Sequence, residues 1–211
     1  MPWKSAACAL ALAVVLVGNT AAAAPLAPDD QAAVDQASAY LDGFGEMKGH
    51  FTQTDSRGAV SEGTFYLKRP GLARFAYDPP SNLLVVSDGH SVVRIDPRLR
   101  TRDRYPLGAT PLALFLAKHV RLDKGVEVTR VVRTEEGFSL TARDAHHPRA
   151  GEITLTFGAH PLKLEDWSMV DAGGQQTHVR LDSIAPTSGL DPSLFVLPDA
   201  GAERAVPLPP N

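Results

Sequence analysis

The sequence predicts a mainly β protein, an antiparallel meander of about 11 strands curled into a barrel or sandwich. Three observations carry that prediction. From Met47 onward, short runs rich in branched and aromatic residues are separated by turn signals such as Pro70-Gly71, Asp78-Pro79-Pro80 and Asp88-Gly89. The connections are short, with no alternation of strands and long helices of the kind that builds a parallel sheet. One short segment, Thr110 to Leu116, is apolar on most of its circumference, so it has to be buried inside whatever the strands form. A flat sheet of so many strands would have long open edges, and curling shortens them.

The chain starts with a segment that does not belong to this fold. Met1-Pro2-Trp3-Lys4 is followed by an uncharged apolar run from Ala6 to Val17 and then by small residues up to Ala24. Residues 1–24 therefore read as a cleaved signal peptide, too short to span a bilayer, which takes about 20 apolar residues. Cys8 stands at the start of the apolar run, whereas a lipidated cysteine follows it. It is also the only cysteine. Its removal leaves no disulfide, thiol nucleophile or thiolate metal site, which suits an oxidising compartment.

Residues 25–199 are expected to form one domain, and 200–211 a flexible tail rich in Pro and Ala. A first helix is predicted over Gln31 to Leu41, behind the acidic start Pro28-Asp29-Asp30, with Val34, Ala37, Leu41 and Phe44 on its apolar side. The predicted strands are Lys48–Thr54, Ser61–Arg69, Leu72–Tyr77, Leu83–Ser87, His90–Ile95 and Arg100–Tyr105. After the apolar helix, they continue as Val126–Arg133, Phe138–Arg143, Glu152–Phe157, Leu162–Val170 and Thr177–Ile184. Thr110 suits an N-cap and Pro111 the first helical position of the apolar helix.

One hairpin admits a register. With Asp88-Gly89 as a two-residue turn, Ser87 faces His90, Val86 faces Ser91, Val85 faces Val92 and Leu84 faces Val93. One face then carries Leu84, Val86, Val93 and Ile95. The other carries Leu83, Val85 and Val92, interrupted by Ser87, His90 and Arg94. The second face is still half apolar, so either both sides are covered or one side binds something apolar.

Chemistry of the catalytic kind is missing from the pattern. The chain holds no Gly-x-Ser-x-Gly, no His-Glu-x-x-His and no Gly-rich phosphate loop. His146-His147 precedes Pro148 in a turn, and a metal there would need further ligands such as His160 or Asp144; a solvated turn is the simpler reading. Glu165 and Asp166 are adjacent on a strand and point to opposite faces. The expectation is a non-enzyme without metal or cofactor. A net charge of −3, evenly spread by its totals, gives no support for nucleic-acid binding.

Arg69 shares its parity with Phe65 and Leu67 at the end of a strand. It either closes the strand and snorkels to solvent, or its fork of donors binds orphan carbonyls at helix ends across a barrel mouth.

Phe51-Thr52-Gln53 after the first helix, Lys68-Arg69-Pro70, the Leu84–Pro97 hairpin with Ser87-Asp88-Gly89, and Thr110-Pro111 resemble, in order and spacing, the LolA family. The resemblance runs from the first helix to the Phe195 region. It implies an unclosed antiparallel β-barrel with short α-helices forming a lid or plug. It also implies a periplasmic monomer that takes lipoproteins from an inner-membrane ABC exporter, holds their acyl chains in an apolar cavity and passes them to an outer-membrane acceptor resembling LolB. Arg69 matches the family's lid-holding arginine, with expected partners at carbonyls near Leu41 in the first helix and near Phe115-Leu116 in the apolar helix. The apolar faces read above assign Phe65, Leu67, Leu84, Val86, Val93, Ile95, Leu112 and Phe115 to the cavity. Ala73, followed by Arg74, departs from members with a bulky aromatic at the mouth. A carrier of another amphiphile, such as a glycolipid or an isoprenoid precursor, is the alternative on the same fold.

Overall fold

A computed structural model describes residues 26–122 and 124–197; the expected signal peptide and tail lie outside the described residues. Helix α1 (Pro28–Asp42) starts with Pro28 in its first turn and Asp29 and Asp30 close to its free N–H groups. Its buried side, Ala33, Val34, Ala37 and Leu41, follows the helical period. Gly43 ends it, donating its N–H to the Ala39 carbonyl at 3.1 Å, and Phe44 donates its N–H to the Leu41 carbonyl at 3.4 Å.

Twelve strands follow among the described residues. They are β1 (Glu46–Asp55), β2 (Val60–Lys68), β3 (Leu72–Tyr77), β4 (Leu84–Asp88), β5 (Ser91–Asp96) and β6 (Thr101–Pro106), then β7 (Val126–Arg133), β8 (Gly137–Asp144), β9 (Gly151–Ala159), β10 (Leu162–Asp171), β11 (Gln176–Leu181) and β12 (Ala185–Thr187). They hydrogen-bond in the order β6-β5-β4-β3-β2-β1-β11-β10-β9-β8-β7, with β12 added on β1. Each pairing is antiparallel. β6 and β7 end the order without pairing to each other, so the barrel is unclosed. Both edges are blunted, β6 by Arg102, Asp103 and Arg104, and β7 by a register shift between Val128 and Arg130. The segment predicted as one strand to Ile184 breaks into β11 and β12, because Asp182 and Ser183 both turn their N–H groups to the His50 carbonyl.

The sheet has an inner face and an outer face, and the pairing tells them apart. Phe65 faces Phe75, Leu67 faces Ala73, Phe75 faces Val85 and Ser87 faces Val92, so these residues share the inner face. Phe65, Leu67, Phe75 and Val92 join α1, Phe115 and Trp167 in the main core. Edge-on rings link it together: Phe51–Phe75 at 5.6 Å, Phe75–Trp167 at 6.0 Å and Tyr40–Phe157 at 5.7 Å.

The β4–β5 hairpin corrects the predicted register. Val86 faces Val93 and Leu84 faces Ile95, two residues further along than a tight Asp88-Gly89 turn gives. The Asp88 carboxylate explains the longer loop. Its Oδ1 accepts the N–H groups of His90 at 2.8 Å and Ser91 at 2.7 Å, a turn built by the side chain. The shift is even, so each residue keeps its face.

Helix α2 (Leu112–Phe115) is a single turn, and here too the capping expectation is corrected. The Thr110 hydroxyl donates backwards to the Leu107 carbonyl at 2.8 Å instead of accepting from the helix, and Pro111 takes the cap position. A tight 3-10 turn at Leu107–Ala109 precedes it, so two short turns in series bring the plug inward directly from β6.

Candidate functional site: a plug held by Arg69

The alternation of β2 puts Phe65 and Leu67 inside, and Arg69 follows them past the strand end, its N–H bound to the Gly45 carbonyl at 2.9 Å. From there the guanidinium reaches both helices. Nε donates to the Phe115 carbonyl at 3.0 Å, and Nη1 donates to the Leu41 carbonyl and, at 3.1 Å, to that of Phe44. These carbonyls sit where α1 and α2 end and lack helical partners. The guanidinium carbon lies 5.2 Å from the Phe115 ring centre, within cation–π range. Nη2 is buried with no hydrogen-bond partner among the described residues. Burial pushes the Arg69 pKa down to about 10, opposed by the nearby Asp42 charge, so the group stays cationic at neutral pH.

A second set of contacts ties the plug segment to α1. Asp42 Oδ1 accepts the Val120 N–H at 3.3 Å and lies 3.4 Å from His119 Nδ1. Ser38 Oγ accepts the Leu122 N–H at 3.4 Å. The Leu116 carbonyl, expected to bind Arg69, instead accepts the Gly71 N–H at 2.8 Å, while Ser87 Oγ donates to the Gly71 carbonyl at 2.7 Å. Gly71 has φ +78°, and a Cβ there would meet Gly89 Cα at 2.6 Å. Gly71→Ala is therefore expected to spoil both the turn and the Leu116 tether, by about 1–3 kcal/mol. Amide exchange over 112–122 should accelerate more than exchange in β9 and β10; uniform protection would contradict that.

The structure divides the expected cavity residues into two groups. Phe65, Leu67, Leu112 and Phe115 meet in the main core, together with Leu41 and Leu116. The Phe115 and Trp167 rings lie 5.6 Å apart. Leu84, Val86, Val93 and Ile95 form a separate cluster on the outer face, packed by Ala76 and Leu197, and do not line the inner face. Apolar purity misidentified the inner side of this hairpin. Val85, Val92, Ser87 and Arg94 face inward, where Ser87 serves Gly71 and Arg94 pairs with Asp103 at 3.3 Å on the edge strand.

The cleaner face is apolar because the chain's own C-terminal segment covers it. Glu46 accepts the Leu190 N–H at 2.8 Å and pairs with Lys68 at 2.9 Å; Arg74 donates to the Leu194 carbonyl at 3.2 Å. The Leu190 N–H, and next Lys68, hold the Glu46 carboxyl below its ordinary pKa. Phe195 is buried.

Phe75, Trp167 and the Phe44 carbonyl belong to the site and were missed by sequence reasoning. The Phe44 carbonyl had a signal, since it lies just past a predicted helix end, where orphan carbonyls gather. Trp167 had none, because it meets Phe115 only through the sheet's long-range pairing. His146 and His147 sit in a turn, with both N–H groups on Asp144 Oδ1. No group of three or more potential metal ligands is present among the described residues.

A family model described as "Outer membrane lipoprotein carrier protein LolA" matches residues 42–198. An "Outer-membrane lipoprotein carrier protein" of Xylella fastidiosa (strain Temecula1 / ATCC 700964) is 31% identical over 151 residues, 66% of this chain and 71% of the relative. A protein of the same description from Methylibium petroleiphilum is 29% identical over 182 residues, covering 81% and 88%. Another, from Pseudoalteromonas translucida, is 26% identical over 200 residues, covering 90% and 93%.

Proposed function

The chain belongs to the LolA family, and from that premise we propose that it is a periplasmic carrier which shields lipoprotein acyl chains on its inner face. It accepts them from an inner-membrane ABC exporter and delivers them to an outer-membrane acceptor resembling LolB. The observation that carries this reading is the plug. Leu112, Phe115 and Leu116 occupy the apolar inner face, under a cation bound to both helix ends.

No covalent step is needed. Each acyl methylene gains about 0.8 kcal/mol on leaving water, so a permanently open apolar cavity would hold its cargo too tightly to give it up. In the closed form the chain's own side chains take the place of acyl chains. Opening must break the Arg69 bonds and expose Phe115 and Leu116, and that cost subtracts from cargo affinity. Bonds from a charged donor contribute roughly 1.5–3 kcal/mol each, a size that restrains a lid without locking it. The unpartnered Nη2 weakens the closed form further, since a buried unsatisfied donor costs about 1–3 kcal/mol.

Native mass spectrometry of the protein, gently extracted from the periplasm, tests this reading. A one-to-one complex with a triacylated lipoprotein is expected. A bound free lipid instead would replace the cargo by a glycolipid or isoprenoid and keep the fold.

A further inference from the structure

The connections β1–β2, β3–β4 and β5–β6 lie side by side at one end of the sheet, because β1 to β6 are neighbours in chain order. The lid lies at the other end, where β2 stops at Lys68 and β6 leads into α2. The β5–β6 connection is distinctive. All of Pro97, Arg98, Leu99, Arg100 and Thr101 are exposed, and Leu99 at the apex is 68% exposed. Asp96 Oδ1 holds the turn through the N–H groups of Arg98 at 3.0 Å and Leu99 at 3.1 Å.

The hairpin's two carboxylates, Asp96 and Asp103, both pair with Arg94, at 3.6 Å and 3.3 Å. Arg98 and Arg100 pair with no carboxylate among the described residues. Beyond the exposed Pro79 and Pro80 of the β3–β4 connection, the β1–β2 connection adds exposed Arg57, and β2 starts with Val60, 62% exposed. Asp78 is the exposed acid of the β3–β4 connection, and Asp55 is taken by Arg57 at 3.2 Å. At the apex of the β5–β6 connection, two guanidinium groups without a carboxylate partner thus flank the exposed Leu99.

We infer that this end is a docking surface for an anionic phospholipid bilayer, with Leu99 entering the headgroup layer and Arg98 and Arg100 on lipid phosphates. Guanidinium forks match phosphate geometry. An apolar apex flanked by two guanidinium groups suits a layer that is anionic outside and hydrocarbon beneath. A flat acidic protein surface would match the charge but give the projecting Leu99 no apolar layer to enter. β6 separates the docking tip from α2 by six residues, roughly 20 Å, so docking leaves the plug and Arg69 facing away from the bilayer. It orients the carrier and does not itself open it.

Cargo-free protein is floated with vesicles of phosphatidylglycerol mixed with phosphatidylcholine, and with phosphatidylcholine alone. Binding to the anionic vesicles, weakening with added salt, is the expected result. The Arg98→Ser/Arg100→Ser double variant should bind about 30-fold more weakly, and Leu99→Ser several-fold more weakly. All three side chains are exposed, so melting temperatures should match the parent. Leu99→Trp should blue-shift its emission on anionic vesicles alone. Equal binding to both vesicle types, or undiminished binding by both serine variants, overturns the inference. So does a failure to bind the anionic vesicles, and cross-linking from position 99 to an acidic protein would then identify the partner class instead. Cargo plays no part in these readings, so they stand apart from the test of the carrier function.

Discussion

Arg69→Leu is expected to capture cargo more tightly than the parent protein and to release it poorly. The substitution removes the donors bound to the Leu41, Phe44 and Phe115 carbonyls and leaves those acceptors at the helix ends without their cation. It also removes the cost of burying a guanidinium, whose Nη2 already lacks a partner. The net shift towards the open form is about 2 kcal/mol, roughly 30-fold in apparent cargo affinity. Binding of a lipopeptide, followed by transfer to acceptor membranes, measures both halves. The core beneath should survive, with a cooperative melt. A variant that fails to fold, or that binds and transfers as the parent does, would show that Arg69 is not a latch.

Phe115→Ala has a larger effect on stability. The ring is 3% exposed, lies against Trp167 and sits under the Arg69 guanidinium. Truncating such a side chain costs about 3–5 kcal/mol where the surroundings cannot collapse. Where the plug swings away, the loss is confined to the lid. The two cases separate in one experiment. Trp167 is the only tryptophan of the described residues, so its emission should shift red as the plug leaves, whereas the melting temperature falls by roughly 6–20 °C if the whole domain bears the loss. An unchanged melt with unchanged emission would contradict the packing described for Phe115.

The strands were legible because each fits between turn residues whose backbone preferences are local, whereas the pairing of β1 with β11, which a simple meander does not contain, was not. α1 showed itself by its acidic start and its apolar spacing. The hairpin register was not legible, because one carboxylate, Asp88, lengthened a loop that its Asp-Gly pair marks as tight. The inner face was misread for an instructive reason. Leu84, Val86, Val93 and Ile95 are pure because Leu197 packs against them, a contact between distant parts of the chain. The true inner side carries Ser87 and Arg94 because a mouth and an edge need polar groups. Arg69 was legible as a residue at the rim of an apolar face. Its third acceptor, Phe44, and its neighbour Trp167 depend on how α1 and β10 are brought beside α2.

A lipoprotein whose acyl chain carries a photoreactive diazirine, cross-linked within the complex and mapped residue by residue, shows which face of the sheet receives the cargo. Labelling at Phe75, Val85, Val92, Phe115 and Trp167, with none at Leu84, Val86, Val93 and Ile95, is the expected result. Val85 and Val86 are neighbours on opposite faces, so labelling of Val86 in place of Val85 would contradict the claim that the inner face beneath the Arg69 plug receives the acyl chains.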